Sequence, residues 1–191
     1  MTAHSPDYND AYVNTLANRI HQNNVSKGFW PDGVAARNVG EAIALIHSEL
    51  SEAYEALINN SMDDKLPRVS GFIVELADAM IRICDLCSAN GHVFSTGRAS
   101  FEDWLPPLGT ARYPIEYNFG REILFLHYMT SLALEAHRKP EKAAYSWMLL
   151  LEYVFWRSYK IIVAAGQQPW WVIDSKVAYN ETRPFMHGKK Y

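Results

Sequence analysis

Gly71-Phe-Ile-Val-Glu75-Leu-Ala-Asp78-Ala-Met-Ile-Arg82-Ile-Cys84-Asp85-Leu-Cys87-Ser-Ala89 is the stretch that decides the fold class. Most of its positions are apolar, and its charged ones, Glu75, Asp78, Arg82 and Asp85, recur every three or four residues. That spacing follows one face of an α-helix, whereas a strand would alternate every second residue. A helix that is apolar around the rest of its circumference belongs inside a bundle. Asn90-Gly91 then supplies a C-terminal stop.

Working outward, the pattern stays helical. A first helix is expected from about Tyr8 to Asn24, with Tyr12, Leu16 and Ile20 on one stripe. It stops before Gly28, and Phe29-Trp30-Pro31-Asp32-Gly33 reads as a turn-rich connection. A second helix spans about Asn38 to Ile58, with Asn38 as N-cap and Glu41 three residues on, close to a capping box. Asn59 to Ser70, which contains Pro67, is a loop. His92 to Tyr117, with Pro106-Pro107 and Pro114, reads as an irregular linker or lid. A fourth helix runs from Asn118 to Arg138 and stops at Lys139-Pro140; a fifth, from Glu141 to Ala165, ends at Gly166 and Pro169. The tail from Trp170 opens with a short helix. The expected fold class is therefore all-α, divided into a first helical half (1–91), a linker or lid (92–117), a second helical half (118–169) and a C-terminal tail (170–191).

Composition narrows the function classes. Hydrophobic residues make up 49% of the 191 and charged residues 20%, enough for a packed core. A net charge of −3 argues against a duplex nucleic-acid partner, which calls for a basic excess. No apolar run approaches the roughly 20 residues that span a bilayer, and the polar N-terminus lacks a signal-peptide core. Cys84 and Cys87 form a lone C-x-x-C inside an apolar helical run and read as core thiols rather than a zinc or redox site. No membrane partner and a reducing, cytoplasmic setting are expected.

The chain also echoes itself. Asn38-Val-Gly40-Glu-Ala-Ile-Ala-Leu-Ile-His47 aligns with Asn118-Phe-Gly120-Arg-Glu-Ile-Leu-Phe-Leu-His127 at a shift of 80. In that register Glu49 and Glu52 fall opposite Met129 and Leu132. The next helices align at a shift of 75 through Gly91 and Gly166, placing Glu75 and Asp78 opposite Leu150 and Tyr153. The second half thus reads as a degenerate repeat whose carboxylates have been replaced.

Those four carboxylates are the chemical signal. Glu49 and Glu52, like Glu75 and Asp78, are i, i+3 neighbours on a helix face, and Glu49 sits within the apolar stripe Ala42, Ile46, Ala53, Ala56. A solvated face is the plain explanation for either pair alone. Two facing antiparallel helices with matching acidic pairs favour convergence. Carboxylates about 6 Å apart repel by roughly 3 kcal/mol at an effective dielectric near 20, and a divalent cation turns that repulsion into binding. Hard oxygen ligands select Mg2+ or Mn2+. The helical di-iron pattern needs Glu-x-x-His, and no glutamate here has a histidine three residues later.

With these residues in view, Glu49-Leu-Ser-Glu52 followed by Glu75-Leu-Ala-Asp78 resembles the E-x-x-E…E-x-x-D signature of MazG-like, all-α nucleoside triphosphate pyrophosphohydrolases. The tail Lys176-Val-Ala-Tyr-Asn180-Glu-Thr-Arg183-Pro-Phe-Met-His-Gly-Lys189-Lys190 is similar to the closing segment of phage-type members, whose setting is the host cytoplasm. The resemblance covers residues 12–90 and 172–191, and the chain departs from a minimal family member over 92–170. It implies a MazG-like, dimeric-dUTPase-like bundle that hydrolyses a (deoxy)nucleoside triphosphate between the α and β phosphates. It implies Glu49, Glu52, Glu75 and Asp78 as ligands of Mg2+ or Mn2+, with Glu49 or Glu52 also orienting the attacking water. Lys176, Asn180, Arg183 and, more weakly, Lys189 match positions suited to phosphate. His21, Asn24 and Trp30 lie where related enzymes contact the base, although Trp30 would serve equally as core. His47, one turn from the acidic pair, reads first as a core histidine. Such proteins often build their site across a homodimer, and here the second half would replace or modify that contact. The competing class is a non-catalytic nucleotide-binding or helical interaction protein, which would be expected to have lost some of the four carboxylates.

Overall fold

The computed structural model describes residues 10–97 and 118–188. Within them the chain is all-α: α1 (Asp10–Ser26), α2 (Val39–Asn59), α3 (Gly71–Ala89), α4 (Phe119–Arg138), α5 (Trp147–Ala164) and α6 (Pro169–Thr182). Short 3-10 turns cover Val34–Ala36, Pro140–Lys142 and Phe185–Gly188. Among the described residues, no helix is long and apolar enough to cross a membrane.

Helix α3 is the axis of the fold. Thirteen of its nineteen residues are buried, and it packs against α1, α2, α5 and α6. Each large aliphatic side chain taken from water there contributes about 1.5–3 kcal/mol, so α3 organises the core. Cys84 and Cys87 are free thiols wholly inside it. Close approach of α2 to α3 depends on Gly71, where an added Cβ would lie 3.1 Å from Ala56 Cβ. Between those helices, Asp63 Oδ1 accepts the backbone N–H groups of Lys65 (2.9 Å) and Leu66 (2.5 Å), which fixes the turn.

Several helix ends follow their sequence signals. Asn38 accepts from Glu41 N and Asn118 from Arg121 N, each an N-cap. Two elements differ from expectation. The fifth helix begins at Trp147 rather than Glu141: Pro140–Lys142 closes a 3-10 turn, Ala143 is extended, and Ser146 caps Leu149 N. The tail helix is not short but runs to Thr182, because Pro169 enters in the first turn and Gln168 caps Trp170 N.

Of the expected linker, residues 98–117 lie outside the described residues. Its first part is anchored. Asn14 exchanges hydrogen bonds with the Phe94 backbone (2.8 and 2.9 Å). The fully buried Glu152 of α5 accepts from Ser95 N at 2.7 Å and pairs with His92 Nε2 at 2.8 Å.

The echo has a geometric counterpart. Helices α2 and α4 pack antiparallel, with Gly40 against Leu134 and Gly120 against Tyr54, pairs that exchange under the shift of 80. Midway between, His47 Nδ1 meets His127 Nδ1 at 2.8 Å, the rings stacked with 5.1 Å between centroids. Ser51 and Ser131 each donate to the carbonyl of the histidine four residues earlier. The contact therefore lies near a pseudo-twofold axis.

Burial lowers the proton affinity of both histidines, and for His47 the neighbouring His127 adds to it. Below pH 6.5 the unfolded chain takes up protons that the fold resists, so stability falls on acidification. We predict that H47Q/H127Q flattens the acid limb of the stability profile between pH 6.5 and 5, because the variant no longer carries groups whose protonation the fold resists. Urea melts across that range provide the check; an unchanged acid limb would show that the pair is not responsible.

Candidate metal centre

Helices α2 and α3 bring three carboxylates together: single oxygens of Glu49, Glu52 and Glu75 lie within 4.8 Å of one another. Glu49 is buried at 6% exposure, Glu75 is half-buried and Glu52 sits at the exposed rim. Arg82, two turns beyond Glu75, places Nε and a terminal nitrogen each 2.5 Å from Glu49 Oε1. Ser48 donates to Glu52 at 3.1 Å.

The cluster sets three carboxylates beside one guanidinium, that of Arg82. Burial, then the charges of Asp78 and Glu49, push Glu75 up to about 8. Asp78 follows Glu75 by one helical turn but stands outside this trio, with Lys176 Nζ of α6 2.8 Å from its Oδ2. Burial pushes Asp78 up to about 6, with Lys176 opposing the rise. For Lys176, burial alone would lower its proton affinity, but pairing with Asp78 reverses the direction. The donor set, all carboxylate oxygen with one group held close to its neutral form, fits a hard divalent cation.

The tail residues do not act as one group. Lys176 is buried on Asp78. Asn180, one turn later, has a buried Oδ1 without a hydrogen-bond partner. The backbone carbonyl of Arg183 accepts Lys27 Nζ at 2.5 Å. Lys189 lies outside the described residues.

His21, Asn24 and Trp30, by contrast, converge on one carboxylate. Asp85 takes His21 Nδ1 and Asn24 Nδ2, each at 2.7 Å, and Trp30 Nε1 at 3.1 Å from both oxygens. His21 stands edge-on to the Trp30 ring at 5.0 Å, and the Arg37 guanidinium lies 5.6 Å from that ring's centroid. Asp85 is the organiser that a search for acidic pairs overlooks. Its signal was available, since it continues the Glu75, Asp78, Arg82 stripe.

A second set of positioning residues has no local sequence signature. Helix α6 is clamped to α1 by Tyr12 Oη to Asp174 (2.7 Å) and by Arg19 forked onto Glu181 (2.7 and 2.8 Å). Lys27 Nζ adds a bond to the Glu181 carbonyl at 2.8 Å, and Met186 N donates to the Lys27 carbonyl at 2.8 Å. The exposed ion pair alone is worth little; together these contacts fix where Lys176 enters the core.

At the corresponding place in the second half, Met129, Leu150 and Tyr153 are buried in apolar packing, and Phe125 meets Tyr153 edge-on at 5.8 Å. Arg157, the counterpart of Arg82, forks onto Glu122 with two contacts of 2.7 Å. Comparison with family models, with curated proteins and with solved structures found no match.

Proposed function

We propose that this chain is a metal-dependent nucleoside triphosphate pyrophosphohydrolase of the MazG-like kind, converting a (deoxy)nucleoside triphosphate to the monophosphate and pyrophosphate. The observation that carries this reading is the convergence of Glu49, Glu52 and Glu75, whose carboxylate oxygens lie within 4.8 Å of one another and could hold a cation. The order of motifs from Glu49 to Lys190 supports the reaction class.

Glu49, Glu52 and Glu75 would hold Mg2+ or Mn2+. When bound, such an ion neutralises charge developing on the phosphates. Arg82 supplies Glu49 with a fixed counter-charge, so Glu49 is better suited to holding than to proton transfer. Glu52, at the rim, is the better base: its carboxylate takes a proton from the water as the oxygen bonds to the α phosphorus. The α–β bridging bond then breaks and pyrophosphate leaves with the bridging oxygen. Lys176, Asn180 and Arg183, with Lys189, are the tail positions assigned to the phosphates. Along α3, Asp85 is seven residues beyond Asp78, about 10 Å of helix rise. That distance suits a nucleotide lying along the stripe, its base toward His21, Asn24 and Trp30. The second half carries no such cluster among the described residues, which supports one site per chain, with α4 and α5 taking the place of a homodimer partner in this reading.

Malachite-green detection of phosphate from a panel of ribo- and deoxyribonucleoside triphosphates with Mg2+ tests the reading. Signal that requires added inorganic pyrophosphatase is expected. Signal without it would mean terminal phosphate release. Binding without turnover on any nucleotide would favour a non-catalytic nucleotide-binding protein.

A further inference from the structure

Asp85 does more than join His21, Asn24 and Trp30: it sets which of their atoms remain for a ligand. A carboxylate has only acceptors, so each group that meets it must donate. Trp30 spends its single donor, Nε1–H, on both oxygens at 3.1 Å. His21 turns Nδ1 to Asp85 at 2.7 Å. That places the proton of the neutral ring on Nδ1 and leaves Nε2 with a bare lone pair. Asn24 turns its amide nitrogen to Asp85, also at 2.7 Å, which leaves Oδ1 as its free end. Both free ends are therefore acceptors, and neither has a hydrogen-bond partner among the described residues.

The cluster lies at the surface, with the His21 side chain 20% exposed and Asn24 half-buried. Trp30 is buried, with His21 edge-on to its ring and the Arg37 guanidinium 5.6 Å from its centroid, so it is a wall rather than a stacking platform. Arg37 has a buried Nε without a hydrogen-bond partner, an unsatisfied donor beside the same wall.

We propose that this end of the site selects a nucleobase bearing an amino group, namely cytosine, adenine or guanine, and rejects uracil and thymine. This rests on the nucleotide reading above and narrows its substrate class. The N–H groups of such a base meet the lone pairs of His21 Nε2 and Asn24 Oδ1. Uracil and thymine keep one N–H flanked by two carbonyls, so at least one of these acceptors faces an oxygen. A site built to hydrogen-bond an N–H group rejects the analogue that lacks it, because its own polar atoms are left unpaired. Asp85 is a positioning residue, acting on the base only through the pattern it imposes on His21 and Asn24.

The pairs dCTP and dUTP, dATP and dITP, and dGTP and dXTP each exchange one amino group for a carbonyl. The test is equilibrium binding of their α,β-imido analogues to the full chain with Mg2+ at pH 8, beside kcat/KM for the triphosphates themselves. In the pair that binds best, the amino member is expected to win by at least about tenfold. N24L, which keeps the side-chain size and removes the acceptor, should bring that ratio within about threefold of unity. D85N should narrow it too, since its amide donates to His21 Nδ1 or to Asn24 and turns one free end into a donor. A purely structural role for Asp85 would weaken both members alike and leave the ratio unmoved. A wild-type ratio near unity, a preference for the carbonyl member, or an unchanged ratio in both N24L and D85N would overturn the assignment, with hydrolysis still upholding the reaction class. Preferential binding of the amino member without hydrolysis would instead reject the reaction class and keep the base assignment. No binding of any analogue would reject both.

Discussion

Glu75→Gln is expected to make the metal-free protein more stable and to abolish its response to magnesium. Burial and the charges of Asp78 and Glu49 hold Glu75 at about 8 in the fold, against about 4.5 when unfolded. Between those values the folded state keeps a proton that the unfolded state has released. Metal-free stability therefore falls as pH rises from about 4.5 to about 8, then levels. Gln imitates the protonated side chain and removes that penalty. A full pKa unit corresponds to about 1.4 kcal/mol, and partial exposure discounts the total, so a gain on the order of 2 kcal/mol at pH 8 is expected. Thermal unfolding from pH 5 to 9, with and without Mg2+, measures both effects. The wild type should be rescued by Mg2+ at high pH and E75Q should not, while E75Q turnover should fall by about 10²–10³-fold. A metal-free E75Q less stable than wild type at pH 8 would make Glu75 a structural acceptor instead.

Asp85→Ala is expected to be among the most damaging single substitutions away from the metal centre. It strips an acceptor from His21, Asn24 and Trp30 at once and loosens the join between α1, the following turn and α3. Hydrogen bonds to a charged group contribute about 1.5–3 kcal/mol each but do not add when they share a partner, so a loss of about 3–4 kcal/mol is reasonable. Asp85→Asn, which keeps one acceptor oxygen, should recover part of it. Denaturant melts measure the cost, and the same variants should lose discrimination among bases before they lose turnover. A cost below about 1 kcal/mol would mean the cluster contributes little to the fold.

What the sequence made legible was local. The apolar circumference of α3 and the spacing of its charged stripe predicted both its class and its central place. Asn38 and Asn118 marked helix starts because an N-cap is a short-range hydrogen bond. The fifth helix was misjudged for a related reason: Glu141 and Lys142 suit a helix, yet Pro140 and the Ser146 cap move its start to Trp147. Helix α6 was undervalued because its support comes from α1, 162 residues away in sequence for both Tyr12–Asp174 and Arg19–Glu181. The same holds at the site. Glu49 with Glu52, and Glu75 with Asp78, were readable as i, i+3 pairs on neighbouring helices. The partnership of Asp78 with Lys176 was not, since it depends on where a distant helix docks. Likewise, His21, Asn24 and Trp30 could be singled out one by one, but only the folded chain joins them through Asp85.

The most direct test of the central claim is hydrolysis in 18O-labelled water with Mg2+, using whichever nucleoside triphosphate turns over best. Attack at the α phosphorus places the solvent oxygen in the nucleoside monophosphate. Mass spectrometry should therefore find the label there and unlabelled pyrophosphate. Label in pyrophosphate or in orthophosphate, or the same turnover after metal removal, would contradict the account.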